Sequence, residues 1–148
     1  MKSYPNWFYY SLLTSLAILI LSGILLIPTA LDMRFEWNVI WRLSGEQYLI
    51  AVAMHTTVSY LTLTALGALI PIHMKAGFIT KKNYFSGLGL ILLFIILATT
   101  GVGLLYLANS QLILLVDALH ILIGIALIII FLVHFNFKNR RRGKSYST

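Results

Sequence analysis

Four long apolar stretches dominate the chain: Phe8–Ile27, Tyr48–Ile72, Leu88–Leu107 and Leu112–Phe135. Each holds about 20 residues or more, enough for a helix to cross the hydrocarbon of a bilayer. Asp117 is the single acidic or basic residue inside any of them. The pattern predicts helices over approximately 7–28, 47–73, 85–107 and 111–136, followed by a basic tail over 137–148. The expected fold is an all-α integral membrane four-helix bundle forming one membrane domain.

Composition agrees with this reading. Of the 148 residues, 59% are hydrophobic and 10% charged, where a soluble domain carries about 25% charged residues. There is no cysteine, which excludes thiolate-bound clusters, covalent c-type haem attachment and disulfides within the chain. The first apolar run is too long for a signal peptide and lacks a small-x-small cleavage site, so it reads as a retained helix.

The net charge of +7 is a topology signal and implies no nucleic-acid partner. Lys75, Lys81 and Lys82 lie between the second and third stretches, and Lys138, Arg140, Arg141, Arg142 and Lys144 follow the fourth. With four spans these segments share a side with Lys2, and the positive-inside rule makes that side cytoplasmic. The expected location is a bacterial inner membrane, with both termini in the cytoplasm. The charge-balanced Leu31–Glu46 segment falls on the outer side.

The four histidines lie within or at the end of two of these stretches. His55 and His73 are 18 residues apart and His120 and His134 are 14 apart. Both spacings are close to whole numbers of helical turns, so each pair leaves one face of its helix, with members about 27 and about 21 Å apart along the axis. The second and fourth helices run in the same direction. His55 and His120 therefore fall in the outer half, and His73 and His134 at the inner end. Ionisable side chains within a membrane carry an expectation of function, and neutral imidazole is an axial ligand of haem iron. Facing helices in a bundle hold cofactors between them, which makes the four histidines candidate iron ligands for two stacked b-type haems. Pro71 should kink the second helix near its inner end. The alternative is that His73 lies beyond the helix and ligates nothing.

The two halves resemble each other. Leu21-Ser22-Gly23-Ile24-Leu25-Leu26 in the first helix parallels Thr99-Thr100-Gly101-Val102-Gly103-Leu104-Leu105 in the third, and each is followed by an outer loop and a two-histidine helix. This is the pattern of a duplicated helical hairpin. Gly23, Gly101 and Gly103 are candidates for admitting a porphyrin edge; the competing reading is close backbone packing, for which membrane helices commonly use glycine.

In its two histidines on each of helices two and four, with glycines on helices one and three, the chain resembles the four-helix haem core of the quinol:cytochrome c oxidoreductases. It is also similar to the small four-helix cytochrome b subunits that serve dehydrogenases and periplasmic electron carriers. The resemblance implies axial pairs His55/His120 for an outer haem and His73/His134 for an inner one. The 18-residue spacing departs from the family core, whose pairs lie nearer 14. The additional helices and quinone-site loops of the large cytochromes b have no counterpart here.

Other residues bear on this chemistry. Arg34 and Arg42, the basic residues of the outer loop, are candidates for haem propionates or else solvated loop charges. Asp117, three residues before His120, is a candidate proton relay or an acid favoured near a helix start. Phe35, Trp37, Trp41 and Tyr48 form an aromatic outer segment suited to the membrane interface or to a partner. The functional expectation is an electron-transfer subunit of a quinone-linked oxidoreductase complex. Its expected partners are membrane lipid, quinone or quinol, and a redox protein on the outer side. Two alternatives are a small transporter or proton channel and a cofactor-free assembly subunit. The segment Ile121–Val133 between two histidines is nearly all Leu, Ile and Val, which argues against a water-lined path.

Overall fold

The apolar stretches fold as expected. The computed structural model describes residues 4–70, 75, 79 and 84–143, with side chains as far as His134. The described chain forms four helices and no strand: α1 Asn6–Phe35, α2 Gly45–Leu69, α3 Tyr84–Tyr106 and α4 Ser110–Gly143. All four are long and apolar enough to span a membrane, and the protein is an integral membrane four-helix bundle. Its helices pack as two hairpins, α1 on α2 and α3 on α4, joined by contact between α1 and α4.

Packing inverts the order familiar from soluble proteins. Leu21, Leu61 and Leu122 stand 60% or more exposed, where lipid solvates them without cost. Ser22, Thr29, Thr62 and Asp117 are buried alongside Leu16, Ala51 and Leu127. Small hydroxyl residues let membrane helices approach while bonding to backbone. The Thr62 hydroxyl, for instance, donates to the Val58 carbonyl at 2.8 Å.

Two helices run further than the apolar pattern predicts. α1 continues through Pro28, which is buried within it, and takes in Asp32 and Arg34 before ending at Glu36 in the left-handed conformation (φ 56°). Pro28 removes one helical donor, yet the side chains just beyond it organise the turn. The Thr29 hydroxyl accepts from the Leu43 N–H at 3.1 Å, and Asp32 accepts from the Val39 N–H at 3.0 Å while pairing with Arg42. The outer loop is therefore fastened to the end of α1. α4 continues to Gly143, so the basic positions 138 and 140–142 lie on a helix. The expected end of the second helix at 73, with Pro71 and His73, lies outside the described residues.

The link between α3 and α4 is short and well capped. Asn109 Oδ1 accepts from the N–H groups of Gln111 and Leu112, both at 3.1 Å, satisfying two donors that a helix start leaves open. At the opposite end of the bundle the Tyr4 hydroxyl donates to the Ala68 carbonyl at 2.6 Å, tying the start of α1 to the end of α2.

Candidate functional site

His55 and His120 meet across the bundle. Their ring centres are 6.2 Å apart and the ring planes are inclined at 75°, so the two residues are level, as their positions on parallel helices predict. Each ring is held from within its own hairpin. His55 Nδ1 is 3.0 Å from Ser22 Oγ on α1, and His120 Nδ1 is 2.8 Å from Thr100 Oγ1 on α3.

The glycine after each hydroxyl residue gives the ring room. A Cβ placed on Gly23 would lie 3.2 Å from His55 Cε1, and one on Gly101 would lie 3.6 Å from His120 Cε1. A third site repeats the construction at the inner level. His134 Nδ1 is 2.9 Å from Ser86 Oγ, and a Cβ on Gly87 would be 4.0 Å from His134 Cε1. Ser86 and Thr100 are separated by 14 residues on α3, as are His120 and His134 on α4. The antiparallel α3/α4 hairpin thus builds the same arrangement at two depths, about 21 Å apart by helical rise.

The facing rings suit coordination to one metal atom between them. A metal–imidazole bond of about 2.0 Å on each side and a ring radius of about 1.2 Å put the ring centres about 6.4 Å apart, against 6.2 Å here. Among the described residues no cluster of three or more His, Cys, Asp or Glu side chains could hold a metal. A two-imidazole donor set matches a metal whose remaining positions are filled by a macrocycle, as in haem, better than zinc with its three or four protein ligands.

The other predicted site residues fall in different places. A Cβ on Gly103 would meet Val116 Cγ1 at 3.3 Å, so this glycine serves the close packing of α3 on α4. Arg42 is paired with Asp32. Those two residues, with Glu36, Asn38, Val39 and Ile40, line an open recess of about 630 Å³ on the outer loop, separate from the histidines. Asp117 is buried one turn before His120. On the inner side Lys75 is exposed, while His73, Lys81 and Lys82 lie outside the described residues.

Ser22, Ser86 and Thr100 are the histidine-contacting positions that sequence reasoning missed. The available signal was a hydroxyl residue directly before a glycine, occurring at 22–23, 86–87 and 100–101 and also at 44–45, where Ser44 caps the start of α2 instead. Comparison of the chain with protein-family models, characterised proteins and solved structures gives no match.

Proposed function

We propose that this chain is a membrane di-haem cytochrome b subunit that carries electrons across the bilayer between a quinone pool and a partner redox protein. The observation that carries the reading is the His55/His120 pair, whose rings face one another at the separation of two axial ligands. Haem iron supplies a reversible one-electron change when bound. The chain's own part is to hold, orient and insulate: His55 and His120 provide the outer ligands, and His134 with His73 the inner ones. Ser22, Thr100 and Ser86 hold three of the rings, Gly23, Gly101 and Gly87 open space beside them, and apolar side chains exclude water between the levels.

Arg34, at the outer end of α1, is the cation placed to meet propionates on that side, with Arg42 shared with Asp32. The outer recess and its aromatic neighbours Trp37 and Trp41, 66% and 75% exposed, are where a redox partner or quinone would approach. The basic inner segments favour both termini in the cytoplasm of a bacterial cell.

A reduced-minus-oxidised optical spectrum of the purified protein, with haem quantified per chain, tests the reading. Two b-type haems per chain are expected. One would retire the inner pair, and none in material made with adequate haem supply would sink the proposal.

A further inference from the structure

The hydroxyl–histidine contacts carry information about protons. The Ser22 hydroxyl lies 2.8 Å from the Ile18 carbonyl and 3.1 Å from that of Leu19. The Thr100 hydroxyl stands 2.9 Å from the Ile96 carbonyl and 3.1 Å from that of Leu97. A hydroxyl has one proton and two lone pairs. Carbonyl oxygens only accept, so a hydroxyl bonded back to its own helix in this way donates there and turns a lone pair toward the imidazole.

The imidazole nitrogen facing that lone pair must then be an N–H. In His55 and His120 that nitrogen is Nδ1. A neutral imidazole protonated at Nδ1 has its free lone pair on Nε2, on the side of the ring away from the hydroxyl.

We propose that Ser22 and Thr100 are positioning residues that hold His55 and His120 in the Nδ1–H form, with both Nε2 lone pairs free to ligate a metal in the bundle. This deepens the haem reading and rests on it for its purpose. The tautomers themselves can be measured without haem. Gly23 and Gly101 complete the device by letting each ring settle beside the helix that carries its hydroxyl.

The test uses the full chain in lipid bilayers, with ¹⁵N-labelled histidine and no haem. Side-chain ¹⁵N shifts are assigned by comparing wild type with H55L and H120L. Both residues should show the Nδ1–H form. S22A should release His55 and T100V should release His120 toward the Nε2–H form preferred in water, while S22T and T100S should retain the wild-type pattern. Haem titration of the same samples should show the hydroxyl-free variants binding at the outer level about 10- to 100-fold more weakly, the usual effect of removing a group that orients a metal-ligating histidine.

Nε2–H signals for both residues in wild type would overturn the proposal, because the hydroxyls would then be donating to Nδ1. Unchanged tautomers and unchanged haem affinity in S22A and T100V would overturn it as well. Nδ1–H tautomers in a wild-type protein that takes up no haem would uphold the hydroxyl assignment and defeat the haem reading instead.

Discussion

A single methyl group separates two outcomes at the histidine sites. At Gly23 it would sit 3.2 Å from His55 Cε1, too close without displacement of the ring, whereas 3.6 Å at Gly101 is ordinary van der Waals contact with His120. G23A should therefore reduce haem at the outer level and shift its spectrum, while G101A should bind close to the wild-type amount; haem per chain and the optical spectrum of each variant check this. The 75° between the rings has its own signature. Nearly perpendicular imidazoles donate equally into two iron d orbitals and leave them close in energy, so the oxidised outer haem should give a strongly anisotropic low-spin EPR signal. At this scale the sequence showed the histidines and singled out Gly23 and Gly101 as candidates for admitting a porphyrin edge; the structure sets both against imidazole rings. The sequence hid the hydroxyls, because a serine or threonine in an apolar helix can always bond to its own backbone. Only the packing of α1 on α2 and of α3 on α4 turns Ser22, Ser86 and Thr100 toward imidazoles.

At the scale of elements, the ends of helices were the hardest part to read. Pro28 and the charges Asp32 and Arg34 look like a loop after an apolar run, yet α1 passes through all three. Thr29 and Asp32 explain why the extension is worth keeping: they accept the Leu43 and Val39 N–H groups and so shape the outer loop. D32A should expose residues 36–43 to limited proteolysis and leave haem content unaltered. The other outer turn depends on Asn109. N109A removes the acceptor of two N–H groups and should lower stability by about 1 kcal/mol, read from thermal unfolding in detergent, with the histidine sites intact. The spans themselves were legible from hydropathy alone, since an unbroken apolar run of this length has few other uses.

For the whole molecule, the central prediction concerns stoichiometry across depth. On the proposed ligation, H120L removes one outer ligand and leaves the inner level untouched, so it should halve the haem per chain and retain a single b-type spectrum. Topology reporters fused at the two termini should both register on the cytoplasmic side, as the distribution of lysine and arginine implies. The level placement of His55 and His120 was legible from two helices running in the same direction; the inner pair involves His73, outside the described residues. The partition of packing between hairpins was not legible, since it depends on which helix faces meet.

That partition bears on how the protein is assembled. Helices pack within hairpins, and each outer imidazole is braced inside its own hairpin, yet the two imidazoles that face each other belong to different ones. The leading pair of helices can thus leave the insertion machinery with an oriented half-site already made, and the trailing pair arrives carrying its complement. The α1–α4 contact works as a spine between two prefabricated leaves, and the meeting of His55 with His120 is the clasp between them.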